Sequence, residues 1–229
     1  MEIARYMAMT ADEYAAADRL PDRIAWMACH FSPYSTSLSN TPANLPECSL
    51  LILNDSTPPE NQDIENIANS IVNVLNINKC SGLLLDFQRP DNEKSAEIVD
   101  ALLKQSIPVC VSEIYAQDLD CPIFLPPLPL TETLDDYIRP YKNREIWLDT
   151  ALSCIRYIIS ASGSIKLPVS DDLNCQLEDN TLHCHYRIDI TDDCAIFTLR
   201  RTREDLENLI SEAEKIGITT TLGLYQELK

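Results

Sequence analysis

The feature that most constrains the fold of this chain is the alternation of short apolar runs with longer segments of helical periodicity. Runs rich in Ile, Val, Leu and aromatic residues are typical of buried strands, and their alternation with amphipathic helices indicates βα units around a mainly parallel sheet. We predict eight strands, near residues 2–9, 23–31, 49–54, 82–88, 108–114, 122–128, 145–150 and 194–200. Eight such units in 229 residues favour an α/β fold of the compact TIM-type (β/α)8 barrel class, with an open doubly wound sheet as the alternative.

The predicted helices have clear start signals. Thr10 is followed three residues later by Glu13, which has the form of a capping box, and Thr202 with Asp205 is a looser version of the same signal. Apolar residues recur at helical spacing over residues 64–75 and 96–103, and a shorter helix is predicted near 135–141. These helices fall between the predicted strands, as the barrel plan requires.

Residues 152–190 depart from the βα pattern. Residues 152–159 fit either a helix or a strand, while Asp179-Asn180 separates two runs with alternating apolar positions within 173–190. That arrangement predicts a β-hairpin inserted late in the barrel. No linker or low-complexity tract divides the chain, so we expect a single domain over residues 1–229.

The charge balance limits the classes of partner that the protein is expected to bind. A formal net charge of -18 opposes binding to phosphate backbones and anionic lipids, so we expect neither nucleic acid nor a membrane as a partner. Arg200, Arg201 and Arg203 stand among acidic residues, and we interpret them as a solvated mixed-charge surface. The odd number of cysteines, nine, the absence of a CxxC pair and the lack of a secretion signal predict a cytoplasmic protein with free thiols. Nothing in the sequence indicates an oligomeric state.

The sequence gives little support for a cofactor site. The four glycines are too scattered to form a phosphate-cradling loop, so we expect no nucleotide and no other cofactor. His183-Cys184-His185, with Cys175 nearby, offers two or three nitrogen and sulfur ligands and leaves a metal-dependent hydrolase as a third functional hypothesis. We favour the interpretation that these are exposed histidines of the hairpin and that no metal is bound.

Polar residues that close the predicted strands mark the candidate active site, because a TIM barrel places its chemistry at the carboxyl ends of its strands. They are Asn54, Asp55, Asp86, Gln88, Glu113 and Asp149. Two facing carboxyl groups can divide the acid and base or nucleophile roles of glycoside hydrolysis. Taken one at a time, each acid could instead cap a loop or a helix or pair with an arginine.

The segment Ser81-Gly-Leu-Leu-Leu-Asp86-Phe-Gln88 is the most specific of these, since alternation puts Leu84, Asp86 and Gln88 on one face of the fourth predicted strand. It resembles the fourth strand of the chitinase-type glycoside hydrolases, whose motif DxxDxDxE ends in a proton-donating glutamate. Asp86 matches the last aspartate of the motif, whereas Ser81, Leu84 and Gln88 depart from it.

The resemblance implies a barrel that acts on or binds a carbohydrate-like small molecule. If the barrel is catalytic, the resemblance implies that Asp86 orients the substrate or stabilises positive charge and that Glu113 donates the proton. Gln88 and Asp149 then bind sugar hydroxyls, with Asn54 and Asp55 also at the site and Tyr115 and Trp147 as stacking rings. Because an amide cannot donate the proton, Gln88 also motivates the alternative, a non-catalytic pseudoenzyme or binding barrel.

Overall fold

The structure, a computed structural model, describes residues 2–57, 63–90, 92–169 and 174–229. Within them the strands are β1 (Ala4–Met9), β2 (Ile24–Trp26), β3 (His30–Phe31), β4 (Leu38–Ser39), β5 (Leu50–Asn54), β6 (Gly82–Asp86), β7 (Val109–Ser112), β8 (Ile123–Leu125), β9 (Ile146–Thr150), β10 (Cys154–Ser160), β11 (Gly163–Pro168), β12 (Leu177–Asp179), β13 (Cys184–Ile190), β14 (Cys194–Arg200) and β15 (Thr220–Leu224). The helices are α1 (Ala11–Ala16), α2 (Ile64–Ile77), α3 (Glu93–Leu103), α4 (Glu113–Ala116), α5 (Leu134–Ile138), α6 (Arg203–Lys215) and α7 (Tyr225–Leu228), and a 3-10 helix spans Arg139–Tyr141.

Eight of these strands close a barrel in the order β1-β15-β9-β8-β7-β6-β5-β2, with parallel pairing between neighbours such as β5 and β6. They belong to a compact unit made of Glu2–Pro126, Asn143–Asp149 and Ile218–Lys229, here called the barrel unit. Its interior is filled by side chains from alternate strand positions: Tyr6, Ala8, Ala25, Leu50, Ile52, Leu84, Cys110, Phe124, Trp147 and Leu222. The prediction of a TIM-type barrel is confirmed.

One of the eight predicted strands was wrongly assigned to the barrel. Residues 194–200 do form a strand, β14, but it pairs antiparallel with β10 and β13 in a different sheet. The eighth barrel strand is β15, which pairs with β1. The predicted second strand, 23–31, is in fact two, because β3 leaves the barrel and pairs with β4. Periodicity identifies a strand but does not say which sheet it joins.

A second compact unit, here called the insertion unit, is made of Pro127–Lys142 and Thr150–Gly217. Its sheet has five antiparallel strands in the order β11-β10-β14-β13-β12. The predicted hairpin is confirmed as β12 and β13, with Leu177 opposite Tyr186, although residues 170–173 lie outside the described part of the chain. The ambiguous segment 152–159 forms strand β10. The insertion is therefore a whole sheet with helices, larger than the predicted hairpin, and the expectation of one domain stays a prediction.

The two hairpin histidines are held against helix α6. His183 is 6% exposed, and its Nε2 lies 2.9 Å from Oε2 of Glu212. His185 places its Nδ1 2.9 Å from Oδ2 of Asp205. The interpretation of these residues as exposed histidines is wrong for His183, because the helix that follows the sheet covers this end of the hairpin.

Arg201 is also buried, at 1% exposure, rather than solvated as its acidic neighbours in sequence suggested. Its guanidinium donates to the carbonyl oxygens of Leu128 at 2.7 Å, His183 at 3.2 Å and Leu182 at 3.3 Å. Burial lowers the pKa of Arg201, although nearby Cys184 and Asp205 oppose that change. The side chain thus ties the segment at Leu128 to the turn at Leu182 and His183, through carbonyl groups that would otherwise lack a donor.

Both predicted capping boxes are confirmed. The hydroxyl of Thr10 accepts from the backbone of Glu13, and the Glu13 carboxylate accepts from the backbone of Thr10, at the start of α1. Thr202 and Asp205 make the same reciprocal pair at the start of α6. Of the helices in the described segments, none combines the length and apolar character needed to cross a membrane.

Candidate functional site at the barrel mouth

The carboxyl ends of the barrel strands, here called the mouth, carry three of the predicted polar residues on the inner side. Asn54, Asp86 and Asp149 each follow by two positions a residue of the barrel interior, namely Ile52, Leu84 and Trp147. Side chains two apart on a strand share a face, so these three point toward the barrel axis. Asn54 and Asp86 are direct neighbours across β5 and β6, whereas β7 and β8 separate Asp86 from Asp149.

Asp86 is the centre of this group. Its carboxylate accepts a hydrogen bond from the side-chain amide of Gln88. Burial raises the pKa of Asp86; the hydrogen bond from Gln88 acts to lower it, and the negative charge of Asp55 adds to the rise. Asp86 and Gln88, which are predicted to share a face, are in direct contact. A carboxyl group that holds its proton more readily than usual therefore lies beside a primary amide.

Asp55 is buried, at 2% exposure, and faces away from the barrel interior because it follows Asn54 by one position. Its carboxylate accepts from the backbone amides of Gln88 at 2.9 Å and Arg89 at 3.1 Å. Arg89 in turn donates from its guanidinium to the carbonyl of Ser56 at 2.7 Å. The loops that follow β5 and β6 are therefore tied together, and Asp55 positions the backbone that carries Gln88.

The other side of the same loop is held by β7 and α4. Ser112 donates from its hydroxyl to the carbonyl of Phe87 at 2.6 Å, and the hydroxyl of Tyr115 donates to the carbonyl of Arg89. The ring of Phe87 is fully buried, 5.9 Å from Tyr115 in an edge-to-face arrangement and 6.0 Å from Phe31. With its backbone fixed on both sides, the loop presents the exposed side chain of Gln88 in a defined place.

Trp147 lies in the barrel core rather than at the rim. It is 8% exposed, and its indole Nε1 donates to Oε1 of Glu145 at 3.0 Å. Glu145 precedes β9 and also accepts from the hydroxyl of Thr219, which precedes β15, at 3.0 Å. The polar edge of the indole is therefore directed to the amino ends of the strands, opposite the mouth. A stacking role for Trp147 stays a prediction.

Glu113, the predicted proton donor, is the first residue of α4, directly after β7, and its side chain is half-buried. Asp149 is half-buried near the end of β9. The roles assigned to both residues stay predictions. In residues 2–57, 63–90, 92–169 and 174–229 no three His, Cys, Asp or Glu side chains group as they would around a metal ion.

Two anchoring roles were missed in the sequence. Asp55 is predicted to bind the ligand, although the strand alternation that points Asn54 inward directs Asp55 outward. The hydroxyl of Ser112 had no visible signal, because its partner, the carbonyl of Phe87, is 25 residues away in sequence. Both residues act on the position of Gln88.

No family model matches the sequence, and no curated protein matches it. Solved structures do match its fold. A class V chitinase from Nicotiana tobaccum has a TM-score of 0.59 at 9% identity, over 100% of this chain and 95% of that one. A chitinase-like agglutinin from Robinia pseudoacacia has a TM-score of 0.59 at 12% identity, over 98% and 95%. The spore cortex-lytic enzyme SleL from Bacillus cereus has a TM-score of 0.59 at 7% identity, over 99% and 71%.

These likenesses concern the fold, because the identities are too low to carry anything further. The segment with the chitinase-type resemblance, residues 81–88, contains β6, which is the fourth barrel strand along the chain, as predicted. The resemblance is thus supported by the closed parallel barrel and by the solved structures together. The chain has the fold of the chitinase-type glycoside hydrolase barrels.

Proposed function

We propose that the barrel binds a carbohydrate at its mouth and does not hydrolyse it. The observation that carries the proposal is the side chain of Gln88, which donates a hydrogen bond to Asp86 and which the chitinase-type resemblance matches to the proton-donating glutamate. A primary amide cannot transfer the proton that glycosidic cleavage requires. Among the proteins with this fold, one is described as an agglutinin, so a carbohydrate-related role on this barrel extends beyond proteins named as enzymes.

The chemistry of the mouth suits a ligand rich in hydroxyl groups. Asp86 accepts hydrogen bonds when ionised, while the amides of Gln88 and Asn54 offer both donors and acceptors. Because burial has already removed part of the water around Asp86, a ligand hydroxyl that donates to its carboxylate replaces hydration the group has lost. Asp149 faces the same interior and is the proposed contact on the far side.

Rigidity supports the same proposal. Asp55, Ser112 and Tyr115 hold the backbone of residues 87–89 from two sides. A site whose polar groups are fixed before the ligand arrives loses little conformational entropy on binding. The anchoring therefore favours a pre-formed site over one that is ordered by its ligand.

Hydrolysis is the second candidate function, and the raised pKa of Asp86 favours it. A carboxyl group in a partly buried position holds its proton to higher pH, which is the property of a general acid. In that case Asp86 and Glu113 divide the catalytic roles. The two candidates differ in whether bonds are broken, so one pair of measurements separates them.

The test combines binding and turnover on the whole chain. Isothermal titration with N-acetylglucosamine oligomers, chosen because proteins of this fold are named chitinases, is expected to show binding that Asp86→Asn weakens at least tenfold. Asp118→Asn, an exposed residue that precedes β8 at the opposite end of the barrel, serves as the matched control and is expected to bind like the parent. Aryl glycosides of N-acetylglucosamine are expected to remain uncleaved.

Two results contradict the proposal. Turnover by the pure protein that is lost in Glu113→Gln would establish hydrolysis in place of binding alone. No binding of the oligomers by a folded protein, or binding unchanged in Asp86→Asn, would remove the mouth as the carbohydrate site.

A further inference from the structure

Three arginines that are far apart in sequence share one face of the five-stranded sheet of the insertion unit. Residues directly opposite each other in an antiparallel pair share a face, and Thr198 of β14 lies opposite Arg156 of β10 and Arg187 of β13. Arg200 follows Thr198 by two positions on β14 and therefore points to the same side. We call Arg156, Arg187 and Arg200 the arginine cluster.

The cluster is compact enough to contact one small ion. Strands in a sheet lie about 4.8 Å apart, so the strands that carry Arg156 and Arg187 are separated by roughly 10 Å, with Thr198 buried between them. The thiol of Cys175 reaches the same point and donates to the carbonyl of Thr198 at 3.7 Å. Burial raises the pKa of Cys175, and the positive charges of Arg200 and Arg187 oppose that rise, so both guanidinium groups lie near this one thiol.

Carboxylates on the same face balance only part of this charge. Asp189 accepts from Nε of Arg187 at 2.9 Å and from its Nη2 at 2.7 Å. Among the paired positions that the structure describes, the other carboxylate on this face is Glu178, on the edge strand β12. Arg156 and Arg200 lie on the inner strands β10 and β14. Positive charge therefore predominates at the centre of the face.

Arg156 provides the observation that points to a ligand. Its Nε atom is buried and has no hydrogen-bond partner in the described segments of the chain. A buried donor without an acceptor costs free energy, and the cost is greater when the donor is charged. The side chain as a whole is half-buried, so an ion can approach the guanidinium from the solvent. Because the positive charge is delocalised over the guanidinium, an anion bound there also offsets the charge at Nε.

We infer that the arginine cluster binds a phosphate or sulfate group. Guanidinium groups suit oxyanions because their planar fork of N–H donors meets two oxygens at once. A carboxylate offers one negative charge and two oxygens in one plane, which a single arginine satisfies. A phosphate or sulfate group carries more negative charge, and its oxygens point in several directions, so it can contact guanidinium groups from different strands.

The charge of the whole chain favours a small anionic group over a polyanion. With a formal net charge of -18, the protein repels negative charge over most of its surface. A nucleic acid meets that repulsion along its whole length, whereas a single phosphate or sulfate group meets only the arginine cluster. The group can arrive as a free ion or as a substituent on a larger molecule such as a sugar, and the same guanidinium contacts recognise both.

Isothermal titration of the full chain with inorganic phosphate, at neutral pH and about 0.1 M salt, tests this inference. The parent is expected to bind phosphate with a dissociation constant of about a millimolar or below, and sulfate similarly. Arg156→Gln and Arg187→Gln are each expected to weaken binding about tenfold or more, because each removes charge-assisted hydrogen bonds. Arg139→Gln is the matched control, since Arg139 is an exposed arginine of the same unit that pairs with Asp136, and it is expected to bind like the parent.

Two further titrations sharpen the result. Arg156→Lys keeps the positive charge but loses the planar fork, so it is expected to bind phosphate more weakly than the parent and more tightly than Arg156→Gln. Glucosamine 6-phosphate is compared with inorganic phosphate on the parent. Tighter binding of the sugar phosphate supports the site and identifies a phosphorylated saccharide as its source, whereas equal or weaker binding supports the site as one for the free ion.

Circular dichroism establishes that each variant is folded, and if Arg156→Gln does not fold, Arg187→Gln decides, because the Arg187 side chain is 51% exposed. No binding of phosphate or sulfate by the folded parent overturns the inference. So does phosphate binding that neither glutamine variant weakens, because another surface then binds the ion. Acetate or chloride that binds as tightly as phosphate also overturns it, since general screening of charge then explains the effect. None of these outcomes depends on the barrel mouth.

Discussion

The position of Gln88 depends on the buried carboxylate of Asp55, and Asp55→Asn tests that dependence directly. The carboxylate accepts from two backbone amides, at 2.9 Å from Gln88 and 3.1 Å from Arg89. An asparagine has the same shape but only one oxygen, so it can keep one of these bonds and turns a donor toward the other amide. One hydrogen bond to a charged acceptor is lost and one buried donor is left without a partner.

The magnitude follows from those two losses. Hydrogen bonds to charged groups contribute about 1.5–3 kcal/mol, and an unsatisfied buried donor costs about 1–3 kcal/mol, so we expect Asp55→Asn to lower the free energy of unfolding by about 3 kcal/mol. For a chain of this size each kcal/mol corresponds to roughly 2–4 °C, which predicts a fall in the melting temperature of roughly 6–12 °C.

Differential scanning calorimetry measures that shift, and hydrogen exchange locates it. The amides of Gln88 and Arg89 are expected to exchange up to about a hundredfold faster in the variant, since about 2.7 kcal/mol corresponds to that factor. Asp118→Asn is the control, because exposed substitutions away from special contacts change stability by about 0.5 kcal/mol or less. A melting temperature within about 2 °C of the parent, with unchanged exchange at both amides, would refute the anchoring role.

Three further predictions concern other buried groups. Arg201→Met is expected to lower the free energy of unfolding by about 3–5 kcal/mol, measured by denaturant titration, because three carbonyl oxygens lose their donor. Burial raises the pKa of the Cys29 thiol to about 12, from an ordinary value of 9.0. The thiol therefore ionises at lower pH in the unfolded chain than in the folded one, and the free energy of unfolding should fall as the pH rises from 9.0 toward 12. Cys29→Ala should reduce this pH dependence of the melting temperature. Because burial raises the pKa of Asp86 above its ordinary value of 3.8, its carboxylate should take up a proton, and carbohydrate affinity should fall, at a higher pH than for an ordinary aspartate. Titration calorimetry of Asp86→Asn should show no such pH dependence.

The strands and helices that the sequence predicts correctly are those whose signals are local. The helix signals at Thr10 and Thr202 lie within three residues of their partners, and both capping boxes form as predicted. The resemblance around Asp86 was likewise contained in eight consecutive residues, and β6 takes the predicted fourth place in the barrel.

Sheet membership and side-chain direction could not be predicted where they depend on residues that are distant in sequence. Residues 194–200 and 220–224 are both short apolar strands, and the choice of which closes the barrel depends on pairing with β1, more than 200 residues away in sequence. Trp147 shares strand parity with Asp149, which suggested a ligand-facing ring, but parity does not distinguish the mouth from the core. The hydrogen bond to Glu145 decides which end of the barrel its polar edge faces.

The sequence by itself determined the alternation that makes a barrel, the helix starts and the unusual amide at position 88, because periodicity, capping and residue identity act over a few neighbours. Tertiary structure alone decided that Asp55 holds a loop, that Arg201 is buried and that β15 completes the barrel. Each of those outcomes depends on a partner brought close by chain folding, such as Gln88, 33 residues from Asp55. Gln88 depends on both: the sequence identifies it as an amide that cannot donate a catalytic proton, and contacts in the folded chain hold it beside Asp86.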